Sequence, residues 1–363
     1  MEDLTLVAVV IVALFFDFTN GFHDTANSIA TSVSTRALSP RAAVLVASIF
    51  NFVGAFASLK VAATVAKGIV NPEAITLSII LAGLVGAITW NLVTWFLGLP
   101  SSSSHALIGG IAGSAIAAAG WDVIYWNGIW EKVIKPGVMS PILGFAIALA
   151  LMFTIMWIIR KRSPSRINRV FRRAQIFSGS FVAFTHGTND AQKTMGIIAL
   201  ALISTGHLNA EEFDVPTWVI ASSATAMALG TYAGGWRIIK TMGTRIAKID
   251  APQGFAAQTA CAGILWTTAH LGFPVSTTQT ISGCVVGAGA SRRLSAVRWG
   301  IAGNIVVAWI ITLPAAGLVG ALMEAVTRLP AGDLIVFLLA GAIAATAFSA
   351  RRYTTRRLLP ARA

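Results

Sequence analysis

Charged residues are scarce in this chain: they make up 11% of its 363 residues, against 56% hydrophobic ones. The mean hydropathy is +0.75, and many apolar runs approach the roughly 20 residues that a helix needs to span a bilayer. These values exclude a soluble globular protein and predict a polytopic, all-α membrane protein. The N-terminal end also lacks a basic segment before its first apolar run, so we expect no cleaved signal peptide.

Cysteine is nearly absent as well. Cys261 and Cys284 are the only two, and both lie in apolar segments, so we expect buried thiols rather than a disulfide framework. Acidic residues number only 14 against 27 basic ones. Whether that excess serves a partner depends on where the basic residues lie.

Two stretches of the chain are near copies of each other. Residues 15–28 read FFDFTNGFHDTANS, and residues 181–194 read FVAFTHGTNDAQKT. Each copy puts an aspartate, Asp24 or Asp190, into apolar surroundings. A second pair follows in the same order, LPSSSSH at 99–105 and FPVSTTQ at 273–279. The chain is therefore predicted to be a duplicated unit with a solute site where the two repeats meet.

The apolar runs predict seven crossings and two re-entrant helical hairpins. The crossings are placed near 4–34, 41–66, 138–159, 174–204, 216–236, 299–322 and 333–350, the first and fourth being broken at the polar motifs. The hairpins, 74–119 and 253–290, each carry a Pro-Ser/Thr tip, and non-helical backbone at membrane depth must be buried in protein. Three crossings in the first repeat make the second enter from the opposite face, as an inverted-topology repeat. The predicted units are repeat 1 (1–160), a basic cytoplasmic linker (161–173), repeat 2 (174–350) and a basic cytoplasmic tail (351–363).

On this scheme the basic residues gather on one side of the membrane, mostly in the linker, the tail and the loops beside them. Only Lys67, Lys132, Lys135 and Arg328 fall on the other side, together with most of the acidic residues. Cytoplasmic loops carry the basic excess in membrane proteins, so the C-terminus is predicted inside and the N-terminus outside. The net charge of +13 is then topological, and no nucleic-acid partner is expected.

The duplicated aspartates are predicted to bind a coupling ion. An isolated aspartate in hydrocarbon costs at least about 2.5 kcal/mol, so each must face protein, water or an ion. A carboxylate that merely caps a broken helix is the alternative for one copy, but two matched copies beside amides and hydroxyls favour a site for Na⁺ or H⁺. The predicted coupling-ion residues are His23, Asp24, Asn27, Ser28, Asn189, Asp190 and Thr194. Asp24 and Asp190 would be the metal ligands if the ion is Na⁺.

The hairpin tips are predicted to hold an oxyanion. Their hydroxyls precede the second arm of each hairpin, where a starting helix presents unpaired N–H groups and the positive end of its dipole. Capping alone also favours Ser and Thr, but two such tips opening from opposite faces favour an anion between them. The predicted substrate-binding residues are Ser102, Ser103, Ser104, Ser276, Thr277, Thr278, Gln192 and Lys193. Lys193 either adds a positive charge for the anion or forms a salt bridge to Asp190 or Asp24.

Three other polar residues carry less information. His23 beside Asp24 can titrate during transport, although a neutral histidine bonded to a helix is the more usual occupant. Asp17 and Lys60 also fall within predicted crossings, and neither is assigned a role.

At these residues the chain resembles the inorganic phosphate transporter (PiT) family. The resemblance covers nearly the full length and rests on GFHDTANS, GTNDAQKT, PSSSSH and PVSTTQ. His23, Asn51 and the PSSSSH tip look like the bacterial low-affinity phosphate permeases. The family signature is usually written GANDVANS, so Phe22 and His23 depart from it, and Gln279 stands where the second tip often has histidine.

The resemblance implies a non-enzymatic symporter, without a cofactor, that imports inorganic phosphate as a homodimer in the bacterial inner membrane. Na⁺-coupled members often carry glutamate where this chain has Asn51, which favours H⁺ coupling. Na⁺ coupling, transport of a metal-phosphate complex and a sulfate carrier on the same scaffold stay open. An anion channel needs a continuous pore, and an intramembrane hydrolase with a serine nucleophile and His23 as base is remote because His23 is not duplicated.

Overall fold

The computed structural model describes residues 2–358, with the side chains of 3–346 and of 349. The described residues form helices joined by turns and irregular connections, and the only β-structure among them is two isolated bridges, Val70 to Ile124 and Ala247 to Val297. The α-helices are α1 (Glu2–Ser34), α2 (Pro40–Gly54), α3 (Lys60–Lys67), α4 (Leu77–Leu97), α5 (Ser103–Ala119), α6 (Trp126–Ile129), α7 (Lys135–Ile159), α8 (Pro164–Ser204), α9 (Thr217–Ala233), α10 (Trp236–Lys240), α11 (Ala251–His270), α12 (Thr277–Ala290), α13 (Trp299–Thr327) and α14 (Gly332–Leu358). Of the predicted tail, 351–358 belong to α14, and 359–363 lie outside the described residues.

Four helical stretches in the described part of the chain are long and apolar enough to cross a bilayer. They are Asp3–Ser34, Leu77–Leu97, Trp126–Ile159 and Trp299–Thr327. The third combines α6, a π-helical turn and α7. Shorter apolar helices occur at Pro40–Gly54, Ser103–Ala119 and Gly332–Thr346. The membrane class is therefore confirmed, whereas the count of seven crossings stays a prediction.

The predicted breaks at the polar motifs are wrong, because α1 and α8 both run through their motifs without interruption. Hydroxyl side chains in the motifs donate hydrogen bonds to backbone carbonyls of their own helix. Thr25 donates to the carbonyl of Gly21 at 2.7 Å, and Thr188 donates to that of Phe184 at 2.9 Å. The motif therefore offers side-chain oxygens to a solute but no freed backbone carbonyls. Since α8 begins at Pro164, most of the predicted linker 161–173 is also helix.

The breaks occur instead in the helices that follow the motifs. The predicted crossing 41–66 divides into α2 and α3 at residues 55–59, and the crossing 216–236 ends at Gly234 and Gly235 before α10. The first break is stabilised from a distance, since Gln192 Oε1 accepts hydrogen bonds from Val61 N at 2.9 Å and Ala62 N at 3.2 Å. These two N–H groups are among those that a helix start leaves unpaired.

The two halves of the chain interlock. Helix α1 of the first half packs against α9 of the second, and α2 packs against α8. Helix α5 likewise packs against α13, and α12 packs against α7. Helices α4 and α5 form one antiparallel pair, and α11 and α12 form another. The tips that connect the helices of these two pairs are buried, with Ser101 and Ser276 at most 1% exposed.

Candidate functional site

The polar motifs and the tips meet in one buried cluster. It is built from the middle of α1, the middle of α8, and the first turns of α5 and α12. Every residue predicted for the site is at most 3% exposed. A cluster of this polarity in a helical membrane protein is costly unless its charges are paired or occupied.

Asp190 and Lys193 form the centre of the second-repeat side. Lys193 Nζ lies 2.5 Å from Asp190 Oδ1, one helical turn away. The ammonium group also donates to Ser104 Oγ of the first tip at 2.5 Å and to the carbonyl of Val275 in the second tip at 2.9 Å. These three bonds use all three N–H groups of the lysine. Lys193 therefore forms the salt bridge that the sequence left as an alternative, and it joins both tips to α8.

Asp24 is the corresponding carboxylate of α1. Its Oδ1 lies 2.5 Å from His23 Nδ1, and Thr278 Oγ1 donates to the same oxygen at 3.3 Å. Asn27 Nδ2 donates to Thr278 Oγ1 at 2.9 Å. On the other side of the cluster, Thr277 Oγ1 donates to Asp190 Oδ1 at 3.1 Å. Neighbouring threonines of the second tip thus contact the aspartates of both repeats.

The tips lie at the N-termini of α5 and α12, as the sequence predicted. Ser102 and Ser276 are the N-caps, and their side chains accept from His105 N and Gln279 N. Their hydroxyls therefore cap the two helices, which is the alternative role that the sequence left open. Ser104 donates to the carbonyl of Val275 at 3.3 Å, so the two tips touch. The positive ends of two helix dipoles consequently meet beside Lys193.

Three further predicted residues, Gln192, Asn189 and His23, have different kinds of hydrogen-bond partner. Gln192 uses its carbonyl on the start of α3 and donates its amide to the carbonyl of Thr188, so its side chain is committed to backbone groups. Asn189 Nδ2 donates to the carbonyl of Phe273 in the second tip at 3.4 Å. His23 Nε2 lies near the hydroxyls of Thr94, at 3.2 Å, and Ser101, at 3.3 Å.

His186, which is not among the residues predicted from the sequence, also lies at this centre. Its Nε2 lies 3.1 Å from Asp190 Oδ2, without the angles of a hydrogen bond. Its Nδ1 lies 3.0 Å from Asn51 Oδ1, and Asn51 Nδ2 donates to Thr231 at 2.8 Å. One ligand atom each from Asp24, His186 and Asp190 lie within 4.8 Å of one another. The spacing of His186 and Asp190, four residues apart on one helix, was the available signal.

Buried oxygen atoms without a hydrogen-bond partner surround this centre. They include Asn20 Oδ1, Asn27 Oδ1, Ser28 Oγ, Ser103 Oγ, Asn189 Oδ1, Asp190 Oδ2, Thr194 Oγ1 and both carboxylate oxygens of Asp17. Thr194 and Asn20 are the polar neighbours of Asp17, which the sequence left without a role. Buried polar atoms are normally paired. An accumulation of unpaired oxygens is the chemistry of a cation site, and the N–H groups at the starts of α5 and α12 lie beside it.

The glycine of each motif has a packing role. A Cβ on Gly187 would lie 2.1 Å from the carbonyl oxygen of Asn51, and one on Gly21 would lie 2.5 Å from that of Met227. Their partners are glycines as well: a Cβ on Gly54 would meet the Phe184 carbonyl at 2.0 Å, and one on Gly230 that of Phe18 at 2.2 Å. Small residues let membrane helices approach backbone to backbone. The crossings of α2 with α8 and of α1 with α9 are held in this way.

The chain is similar in sequence to several known proteins. A relative from Rhizobium meliloti, described as a probable low-affinity inorganic phosphate transporter, is 53% identical over 87% of this chain and 95% of its own. A relative with the same description from Bacillus subtilis is 48% identical over 87% of this chain and 95% of its own. One from Mycobacterium tuberculosis H37Rv is 50% identical over 88% of this chain and 77% of its own.

A solved structure and a family profile also match. The structure, titled the sodium-dependent phosphate transporter, superposes with a TM-score of 0.81 at 25% identity, covering 89% of this chain and 99% of that one. The profile of the phosphate transporter family matches residues 20–320, which include residues 20–28 of the first motif, the whole second motif and both tips. With that match and with relatives at about half identity, the chain belongs to the phosphate transporter family.

Proposed function

We propose that this chain is a secondary carrier that imports inorganic phosphate through the buried cluster. The observation that carries the proposal is the convergence of both tips on the charged residues of the two motifs. Thr277 contacts Asp190, Thr278 contacts Asp24, and Ser104 contacts Lys193. One site built from matched parts of both halves suits a solute that is approached from either side of the membrane.

Phosphate binding is assigned to the first turns of α5 and α12. Unpaired N–H groups and the positive end of a helix dipole bind phosphate-like anions. Ser103, Ser104, Thr277 and Thr278 add hydroxyl donors there, and Lys193 adds a formal charge. Ser102 and Ser276 support this role indirectly because they cap the two helices.

The Lys193 to Asp190 ion pair suggests how phosphate and a cation are coupled. Lys193 has no N–H group to spare for phosphate while it is bonded to Asp190, Ser104 and Val275. A cation that neutralises Asp190 frees the lysine for the anion, and the anion in turn keeps the lysine away from Asp190. The two solutes then favour each other's binding, as reciprocal coupling requires.

We propose H⁺ as the coupling ion because each aspartate has a histidine partner. His23 Nδ1 lies 2.5 Å from Asp24. His186 Nε2 faces Asp190 Oδ2 at 3.1 Å, and neither atom has another hydrogen-bond partner. With Nδ1–H donating to Asn51 Oδ1, Nε2 is an acceptor that faces a carboxylate. A proton relieves that contact, whereas a hard cation such as Na⁺ prefers oxygen to imidazole ligands.

Na⁺ coupling is the second candidate, and a specific observation favours it. The unpartnered oxygens of Asn27, Ser28, Asn189 and Thr194 lie in the motifs that carry Asp24 and Asp190. Carboxylate, amide and hydroxyl oxygens are the ligands of hard cations. The related solved structure is also titled sodium-dependent. A phosphate that travels with a divalent metal would draw on the same carboxylates.

The architecture that we propose is an inverted repeat with two re-entrant hairpins, α4–α5 and α11–α12, assembled as a homodimer. The interlocked packing of the halves supports the repeat, with α1 against α9 and α2 against α8. The buried tips support the hairpins, since Ser101 and Ser276 are at most 1% exposed. The linker and tail are proposed to be cytoplasmic in a bacterial inner membrane, and no catalysis is assigned to the cluster.

The function is tested by exchange in proteoliposomes. Vesicles loaded with unlabelled phosphate should accumulate labelled phosphate against its gradient, because a carrier returns loaded in both directions. A channel gives conductance without this exchange, and a hydrolase gives neither. Failure of exchange in protein that is folded and reconstituted would reject the carrier.

Sulfate competition tests the assignment of the carboxylates to substrate contact. At neutral pH phosphate keeps a proton that it can donate to Asp24 or Asp190, whereas sulfate has none. A site built around such a hydrogen bond rejects an analogue without it by up to ~10⁴-fold. We expect sulfate to compete at least ~100-fold less well than unlabelled phosphate. Equal competition would mean that the carboxylates do not contact the anion.

A further inference from the structure

A second concentration of positive charge lies away from the central cluster, where α1 ends and α8 begins. A pocket of about 380 Å³ is lined there by Arg36, Ala37, Ser165, Asn168, Arg169, Arg172, Arg173 and Ile176. Its volume is in the range of small-molecule sites, roughly 300–1,000 Å³. None of its lining residues is acidic.

The arginines come from two opposing walls. Arg169, Arg172 and Arg173 are three and four residues apart on α8, so they share one face of that helix. Arg36 faces them from the turn after α1. In the described part of the chain these four guanidinium groups form no ion pair, whereas Arg292 is paired with Asp250. Like charges gathered around one concavity repel each other unless an anion lies between them.

The backbone holds Arg36 in an unusual way. Its φ is 60°, in the left-handed region where glycine is favoured at a helix end. Arg36 N donates to the carbonyl of Val33 at 3.1 Å, and Ala37 N donates to that of Ser32 at 2.8 Å. These two bonds are the helix-ending arrangement in which this position is usually glycine. An arginine at that position adds a positive charge to the pocket, although its backbone conformation is strained for any residue other than glycine.

We propose that this pocket, Arg36 with Arg169, Arg172 and Arg173, binds a phosphate group. Guanidinium groups bind phosphate oxygens in pairs, which makes arginine the preferred residue for this ligand. Basic pockets on the cytoplasmic side of membrane helices bind anionic headgroups, and a soluble polyphosphate offers the same chemistry. Helix α8 continues without a break from the pocket to Asp190 and Lys193, so the ligand would rest on the helix that carries the central site.

The test compares two double variants of equal charge. Arg36→Gln/Arg172→Gln removes one guanidinium from each wall of the pocket, and Arg162→Gln/Arg166→Gln removes two exposed guanidiniums outside it. An unfolding temperature in detergent equal to that of the unmodified protein establishes that both variants are folded, independently of transport. In one arm, the protein is extracted from vesicles of phosphatidylcholine and phosphatidylglycerol, and the phosphatidylglycerol that remains bound is measured by native mass spectrometry. In the other arm, lipid-depleted protein is titrated with pyrophosphate by calorimetry.

We expect the pocket variant to bind roughly 25-fold more weakly in one arm, since each basic residue near a membrane contributes roughly fivefold. The control variant should retain the wild-type affinity. Loss in the first arm identifies a lipid headgroup, and loss in the second a soluble phosphate compound. Unchanged binding in both arms, or the same loss in both variants, would overturn the proposal.

Discussion

At the scale of single residues, the cluster is organised by the ion pair of Lys193 and Asp190. Both side chains are at most 1% exposed and lie 2.5 Å apart. Taking two charges out of water is unfavourable, and removing one partner of such a pair leaves the other charge buried alone. Any substitution of Asp190 therefore tests function and stability together, and the two have to be separated by design.

Asp190→Asn is expected to abolish phosphate exchange and to destabilise the protein by about 3–5 kcal/mol, because Lys193 loses its counter-ion. Asp190→Asn/Lys193→Gln removes both charges and should recover most of that stability without recovering transport. Thermal unfolding in detergent and exchange in proteoliposomes measure the two effects. Exchange near the wild-type rate in the double variant would show that the ion pair has only a structural role and is not required for transport.

Asp24→Asn provides the matched test in the first repeat. Its nearest partner is a histidine, at 2.5 Å, rather than a lysine, so no obligate buried cation is left behind. We expect exchange to be lost while the thermal stability falls by less than in Asp190→Asn. A variant that still exchanges phosphate would assign Asp24 to helix structure alone.

At the scale of helices, the sequence predicted which segments are apolar and where the tips lie, but not where helices stop. The first and fourth crossings were predicted to break at the polar motifs, each of which contains a glycine. In the structure α1 and α8 stay intact, since threonines bond to their own helix and Gly21 and Gly187 mark close helix crossings. The break after Gly54 depends on Gln192, which lies more than a hundred residues away in sequence, and local patterns do not contain that contact.

Gly187→Ala tests the close crossing. The added methyl group would lie 2.1 Å from the carbonyl of Asn51, which forces α2 away from α8 and disturbs the contact of Asn51 with His186. Overpacking of this kind costs about 1–3 kcal/mol, so both the unfolding temperature and phosphate exchange should fall. Gly263→Ala on α11 is the control, because a Cβ there meets nothing within 4 Å. If both variants behave alike, the crossing does not position the site.

At the scale of the whole molecule, the proposed orientation rests on the distribution of basic residues. We expect Glu211→Cys and Asp214→Cys to react with an impermeant thiol reagent from outside intact cells, and Arg166→Cys and Arg293→Cys to react only after permeabilisation. The background is Cys261→Ala/Cys284→Ala, which removes the two buried native thiols. The reverse pattern would invert the orientation and with it the side on which the arginine pocket opens.

The packing of the two halves against each other explains which parts of the site could be predicted from the sequence. Matched motifs predicted that Asp24, Asp190 and both tips belong together, and they do lie in one cluster. The sequence did not predict that Asn51, from outside the motifs, would bond to His186 at 3.0 Å. That contact exists because α2 of one half crosses α8 of the other, and it requires the assembled fold.

The choice of coupling ion is expected to depend on contacts between the two halves of the molecule. Where a carboxylate at position 51 would add an oxygen ligand and a negative charge, the amide of Asn51 is occupied by His186 and Thr231. Position 51 therefore adds no acidic oxygen for Na⁺, and each aspartate has a histidine beside it, so we expect a pH gradient, acidic outside, to drive phosphate uptake into vesicles in Na⁺-free buffer. Asn51→Glu should introduce stimulation by Na⁺. Uptake that is absent without Na⁺ in the unmodified protein and recovers when Na⁺ is added would reject H⁺ coupling and assign the unpartnered oxygens to Na⁺.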